Sequence, residues 1–290
     1  MLLYFMYKLF ASNIILLNII ALIFLASNSI LCKLAIINLN ADAYSFTFLR
    51  LVFAALTLFF IVTLKEKTVS LNLKRNWINP FFLFLYAISF SYAYINLDAG
   101  LGTLILFAFV QLTISLYAIF KREKIYLKQY FGIFIAFLGL VYLFYPKDDF
   151  SISIEGFLLI TISGISWGIY TILGKKSNNP LKDTNENFIK SVPFLFIFIF
   201  IFPVNIQINS DGLILSFLSG AVTSAIGYFI WYKVLNNITI ITAGVIQLII
   251  PIIAIALSIL LLNEPITITL IVSTTLILIG IYLTIKKNIN

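Results

Sequence analysis

The chain has 290 residues, of which 62% are hydrophobic and 10% charged, and it carries a net charge of +8. That apolar share exceeds what a soluble domain of this length buries. With no histidine and a single cysteine, Cys32, a disulfide framework and an ordinary Cys/His metal site are excluded.

Ten apolar stretches follow one another along the chain. Span 1, Ile14–Leu34, holds Asn28 and Cys32 and reaches Lys33 near its end. Span 2, Tyr44–Leu64, carries Arg50 almost two turns inside. Span 3, Ile78–Leu97, holds Ser89, Tyr92 and Tyr94. Span 4, Leu101–Phe120, has Gly102 at its start and Gln111 about halfway. Span 5, Leu127–Tyr145, contains Gly139. Span 6, Ile154–Gly174, places Trp167 and Tyr170 among Gly164 and Gly168. Span 7, Phe188–Ile206, contains Pro193. Span 8, Leu213–Val234, carries Gly220, Gly227, Tyr228, Trp231 and Tyr232. Span 9, Ile241–Leu262, carries Gln247 and, four residues on, Pro251. Span 10, Thr267–Ile285, contains Gly280. Each run is roughly 20 residues, enough for a helix rising ~1.5 Å per residue to cross a ~30 Å hydrocarbon core. The runs are continuously apolar rather than alternating, and lipid offers no partner to open backbone, so they read as helices and not barrel strands.

The pattern occurs twice. Lys33 is echoed by Lys175, Phe48-Leu49-Arg50 by Phe188-Ile189-Lys190, and Val110-Gln111-Leu112 by Ile246-Gln247-Leu248. Glu123-Lys124-Ile125 returns as Glu264-Pro265-Ile266, and Leu138-Gly139-Leu140 as Ile279-Gly280-Ile281. Five helices per half is an odd number, so the halves run in opposite senses. The fold class is therefore an all-α membrane protein, ten transmembrane helices built as two inverted five-helix repeats, 1–150 and 151–290. Inverted repeats of this kind mark secondary transporters, with the substrate between the halves.

Of the 19 basic residues, 16 fall on one face of that topology. Positive charge resists translocation, which makes this face cytoplasmic and puts both termini inside. The basic balance thus reflects a bilayer, not nucleic acid. Met1–Phe10 is apolar, but the next run is a full span that the repeat needs. A cleaved signal peptide is set aside, and the segment reads as lying along the inner interface. Heavy use of isoleucine, phenylalanine, lysine, asparagine and tyrosine fits a bacterium with an A+T-rich genome.

Enzyme chemistry finds no footing: there is no histidine base, no paired intramembrane carboxylate and no phosphate-cradling glycine loop. No cofactor is expected, and coupling falls to a gradient or to exchange. Ionisable and polar groups at membrane depth are the candidate site. Arg50 reads either as an anchor paired with Asp42, Asp98 or a helix end, or as a group that attracts a substrate carboxylate. Gln111 and Gln247 read either as interhelical glue or as two linings of one cavity. Trp167 and Tyr170 lie deeper and read as a stack for a planar or cationic substrate. Tyr92 and Tyr94 are matched to Tyr228, and Asn28 adds a polar group from span 1. Pro251 frees the carbonyl of Gln247 and is a gating candidate, equally a static bend. Glu123 and Glu264 read as helix caps.

These residues together resemble the drug/metabolite transporter superfamily, in its ten-helix form with two EamA domains. The resemblance rests on Phe48-Leu49-Arg50, on Ser166-Trp167-Gly168-Ile169-Tyr170, on Glu123 with Gly139 and on Glu264 with Gly280. Gly102-Thr103-Leu104-Ile105-Leu106-Phe107 through Gln111-Leu112 adds to it. Span 1 departs from it, reading Phe24-Leu25-Ala26-Ser27-Asn28 where a tryptophan-glycine is usual. The resemblance implies export of amino acids or related small metabolites by alternating access, with uptake or exchange of another solute as the alternative. A channel or a membrane-embedded enzyme is the competing class. The implied partners are a small-molecule substrate and lipid, with a homodimer left open.

Overall fold

The structure is a computed structural model that describes residues 14–37, 40–66, 74, 76–121, 127–144, 153–204 and 206–284. The readings of Met1–Phe10 and Glu123 lie outside these residues. In chain order the helices are α1 (Ile14–Ile37), α2 (Ala43–Glu66), α3 (Ile78–Asn96), α4 (Ala99–Phe120), α5 (Leu127–Phe144), α6 (Ile154–Gly174) and α7 (Pro180–Ile201). Then come α8 (Ser210–Phe217), a π-helix (Leu218–Ser224), α9 (Ala225–Leu235), α10 (Ile240–Ile246), α11 (Ile249–Leu262) and α12 (Ile268–Thr284). The segments α8, π and α9 are one continuous span, and α10 with α11 form another, which gives the ten-helix, two-repeat architecture. Eight spans are long and apolar enough on their own to cross a membrane; α5 and α12 are the shorter pair.

Polar caps start several helices at the membrane surfaces. Ser153 Oγ accepts from the Gly156 N–H (3.2 Å), Asn179 Oδ1 from Lys182 (3.2 Å), Asn209 Oδ1 from Gly212 (2.9 Å) and Thr239 Oγ1 from Thr242 (3.1 Å). Each satisfies a donor that the first turn leaves open. Pro180 at the first position of α7 loses no hydrogen bond there.

The seventh span differs from expectation. It starts at Pro180, not Phe188, because the polar stretch Lys182–Lys190 is helical and turned inward: Thr184, Asn185, Asn187 and Lys190 are buried. It stops at Ile201, since Phe202 precedes a proline and is extended. In the ninth span Pro251 leaves the Gln247 carbonyl without its usual partner, and the helix breaks at Gln247–Leu248. The Ile250 N–H takes that carbonyl instead (3.0 Å).

The repeats are interlocked rather than stacked. α6 of the second half packs along both α3 and α4 of the first. Its repeat mate α1 packs along the eighth span and α11 of the second. With α2 against α7 and α4 against α11, eight spans close a ring in the order 1, 9, 4, 6, 3, 7, 2, 8. Exchanging the repeats maps this order onto itself. The pseudo-twofold axis therefore passes between α4 and the ninth span on one side and between α2 and α7 on the other. α5 and α12 pack on each other outside the ring, close enough that a Cβ on Gly139 would stand 2.8 Å from Ile277 Cγ1.

Small residues set these approaches. A Cβ on Gly164 would lie 2.5 Å from Leu106 O, and one on Gly168 2.8 Å from Thr113 Cβ, so α6 meets α4 backbone to backbone. On the acidic face the α1–α2 connection pairs with the α7–α8 connection. Asp42 N–H donates to Gln207 O (2.9 Å) and Asn209 N–H to Asn40 O (2.9 Å). The outer surface is apolar, as lipid requires: Phe120, Phe200, Leu260 and Ile268 are exposed. Replacing Gly164 by valine forces α6 off α4. We expect a loss of about 1–3 kcal/mol, read as a lower unfolding midpoint of the detergent-purified protein.

Candidate functional site

The centre of the ring is built on Arg50 of α2, whose side chain is 1% exposed. Its Nε donates to Ser224 Oγ (2.9 Å). Its Nη2 donates to Tyr228 Oη (2.6 Å) and, at 3.3 Å, to Tyr86 Oη. Tyr228 Oη in turn donates to Tyr86 Oη (3.0 Å). The guanidinium carbon stands 5.5 Å from the Tyr86 ring centre and 5.2 Å from that of Phe90. Of the readings for Arg50, the structure shows neither Asp42 nor Asp98 nor a helix end as its partner. Hydroxyls and ring faces surround it, and Nη1 has no hydrogen-bond partner among the described residues.

Three devices bring these groups together. Gly220 lets the eighth span touch the α2 backbone; a Cβ there would lie 2.5 Å from Arg50 O. The π-helix widens the turn at Leu218–Ser224 and aims its hydroxyls at α1. Asn28 Oδ1 accepts from Ser219 Oγ (2.8 Å), Thr223 Oγ1 (2.7 Å) and, more distantly, Ser224 Oγ (3.3 Å). Asn28 thereby holds the hydroxyl that receives Arg50.

Trp167 of α6 closes the cluster from the other side. Its ring meets Tyr86 at 4.9 Å and Tyr228 edge-on at 4.7 Å, and its Nε1 donates to Gln247 Oε1 (2.7 Å). Gln247 sits at the break between α10 and α11, where its Nε2 donates to Ala243 O (3.1 Å). Tyr170 continues the stack, 5.4 Å from Trp167 and 5.1 Å from Tyr232. Asn187 of α7 donates to Tyr232 Oη (3.2 Å) and Tyr170 Oη (3.4 Å).

Arg50, Asn28, Trp167, Tyr170, Tyr228 and Gln247 thus form one buried constellation. Gln111 lies apart, along the contact of α4 with α10. Its amide fills the space that Gly244 leaves, and its Nε2 donates to Ser115 Oγ (3.4 Å). Tyr92 is half-buried and packs on Phe198 of α7, so the structure does not bring it to the cluster. The repeat mate of Tyr228 is Tyr86, which sequence reading passed over. The Lys33–Lys175 spacing, applied to Tyr228, points to Tyr86 rather than Tyr92 or Tyr94. Pro251 lies just beyond the break, as its spacing from Gln247 requires.

Lys33, Lys175 and Glu264 bond to backbone at helix ends. Lys33 donates to Tyr94 O at the end of α3 (3.1 Å), and its mate Lys175 to Leu235 O at the end of α9 (2.7 Å). A cation at a helix C-terminus is favourably placed. Glu264 caps α4, not the last span that follows it. Its Oε1 accepts from Ala99 N–H (2.6 Å) and its Oε2 from Gly100 N–H (3.0 Å). At the opposite face a cavity of about 470 Å³ is lined by Tyr117, Lys175, Lys176 and the turn Asn236–Ile240.

The interlocked ring with a buried polar and aromatic centre defines a membrane transporter. The chain matches the EamA-like transporter family twice, over residues 12–145 and 154–286. It belongs to that family. It is 35% identical over 269 residues to an uncharacterised protein of Pseudomonas aeruginosa, covering 93% of each chain. An uncharacterised transporter of Archaeoglobus fulgidus is 30% identical, over 71% of this chain and 77% of that one. A probable amino-acid metabolite efflux pump of Salmonella typhimurium is 25% identical, over 66% and 68%. One solved structure superposes with a TM-score of 0.68 over 94% of this chain and 97% of its own, at 13% identity, which speaks for the fold alone.

Removing the Glu264 carboxylate leaves two N–H groups of α4 uncapped. Glu264→Ala is expected to cost about 1–3 kcal/mol, with Glu264→Gln between it and the parent. Thermal unfolding of the three purified proteins checks the order.

Proposed function

We propose that this transporter is a secondary carrier that exports amino acids or related small metabolites by alternating access. The observation that carries the reading is the meeting of Tyr86 and Tyr228, mates in the two repeats, at one buried guanidinium on the pseudo-twofold axis. A site on that axis is the one place that both halves border equally, so it can open to either side with small motions. The Salmonella relative described as an efflux pump for amino-acid metabolites supports the outward direction.

In this reading the repeats are 1–150 and 151–290. Arg50, Asn28, Trp167, Tyr170, Tyr228 and Gln247 contact the substrate, and Gln111 lines the route to them along α4. The break at Gln247 beside Pro251 is the gate. The face richer in lysine and arginine looks into the cytoplasm, as do both termini, and the host bilayer is a bacterial cytoplasmic membrane. The carrier catalyses no chemical step and uses no cofactor or nucleic acid. A homodimer is compatible with the exposed apolar surface.

The test is counterflow in proteoliposomes preloaded with candidate amino acids and their 2-hydroxy and 2-oxo relatives. The expected result is saturable exchange that Gln247→Ala and Trp167→Ala each reduce by at least tenfold while the proteins still fold. A large conductance that does not saturate, unaffected by either substitution, would point to a channel and defeat the carrier reading.

A further inference from the structure

The two halves treat their buried cations differently. At the matching positions of the repeat stand Arg50 and Lys190, both 1% exposed. Lys190 Nζ is paired with Glu186 Oε2 at 2.8 Å, one turn earlier in α7. The position one turn before Arg50 is Phe46, which is fully buried and apolar. In the second half a carboxylate on the same helix neutralises the buried cation. The first half omits the carboxylate.

Arg50 stays charged, because a guanidinium does not deprotonate in a protein. Its partners are Ser224, Tyr228 and Tyr86, with the rings of Tyr86 and Phe90, and none carries negative charge. Hydroxyl dipoles and ring faces lessen the burial penalty but leave the net charge in place, and an uncompensated buried ion costs several kcal/mol. Nη1 keeps two N–H groups without an acceptor among the described residues. The weakest of the other bonds, Nη2 to Tyr86 at 3.3 Å, lies beside them. Turning the Tyr86 hydroxyl aside would expose an edge of two nitrogens, which matches a carboxylate in the two-pronged geometry that guanidinium favours.

Among the described residues the rest of the cluster carries no carboxylate, so an ammonium would meet only neutral acceptors such as Asn28 and Gln247 and the ring faces of Trp167 and Tyr170, with no charge to neutralise it. Lys33, a second buried cation among the described residues of the first half, has a backbone carbonyl for its partner and not a carboxylate. We infer that the substrate is a net anion: a small carboxylic acid with an apolar or aromatic side chain and a neutral group where an amino acid carries its ammonium. 2-Hydroxy and 2-oxo acids have this form. A phosphate monoester brings close to two negative charges and would overcompensate the single guanidinium. The inference rests on the carrier reading and narrows it, within amino acids and their relatives, to the acids that lack the amino charge.

The test compares three probes of nearly one shape: 3-phenyllactate (a monoanion), phenylalanine (a zwitterion) and 3-phenyllactamide (neutral). Each is measured for counterflow in proteoliposomes and for thermal stabilisation of the purified full-length protein. The expected result is that 3-phenyllactate exchanges at least tenfold faster than phenylalanine and stabilises the protein where the amide does not. Arg50→Lys should keep the order with weaker binding, and Arg50→Gln should erase the difference between acid and amide. Phenylalanine moving as fast as phenyllactate, or Arg50→Gln retaining the preference, would overturn the inference while leaving the carrier reading intact. Stabilisation by phenyllactate without flux of any probe would overturn the carrier reading and leave the anion site standing. No stabilisation by phenyllactate at millimolar concentration would overturn the anion site.

Discussion

A guanidinium sealed in the middle of a membrane protein, with no carboxylate beside it among the described residues, is the constraint to which the surrounding structure answers. Phe90 and Tyr86 offer ring faces, worth ~2 kcal/mol or more when desolvated. Three hydroxyls supply charge-assisted hydrogen bonds. Those hydroxyls are where they are because the eighth span abandons α-helical winding at Leu218–Ser224, and because Gly220 brings that span against the backbone of Arg50 itself. Asn28 then fixes Ser219, Thr223 and Ser224 from α1. Remove the charge and neither the π-turn nor the triple hydroxyl contact at one amide oxygen has an evident purpose.

Interlocking of the repeats limits how such a site can open. α6 lies in the groove of α3 and α4 through Gly164 and Gly168, and α1 is embedded in the opposite half in the same way. The halves of the sequence are therefore not two separate packing units. Two groups of spans follow from the packing: α3, α4, α6 and α7 on one side, α1 and α2 with the eighth and ninth spans on the other. Their seams are α4 against α11 and α2 against α7, the two places where the pseudo-twofold axis crosses the ring. Each seam is fastened at the acidic face. Glu264 clasps the start of α4, and Asp42 both caps α2 through Tyr44 and Ser45 and accepts from Gln207. At the α4 seam the ninth span is also broken, at Gln247, which is where a helix can bend without losing backbone bonds.

Much of this was legible in the residues. Continuous apolar runs gave the spans because lipid leaves a chain no other choice, and the echo of Lys33 in Lys175 named two side chains that prove to close equivalent helix ends. The seventh span reads too short because hydropathy treats Thr184, Asn185 and Asn187 as surface, whereas they face the protein interior. The π-helix leaves no signature beyond a run of small residues. Tyr92 was matched to Tyr228 through a loose alignment of the third and eighth spans, when the spacing already present in the lysines pointed to Tyr86. What the sequence could not give was the absence of a counter-ion at Arg50, since several acidic residues stood within reach along the chain and only three-dimensional packing excluded them.

Alternating access requires that the surroundings of Arg50 open to water on both sides of the membrane in turn. The native protein carries its own reporter. Cys32, the single cysteine, is fully buried, next to Ser91 and within the field of Arg50. The most direct measurement is the rate at which a small, membrane-impermeant thiol reagent modifies Cys32, applied separately to each face of sealed vesicles. Alternating access predicts modification from either face, with both rates lowered by saturating 3-phenyllactate. A thiol that reacts from neither face while transport proceeds, or from one face only under every condition, would contradict it.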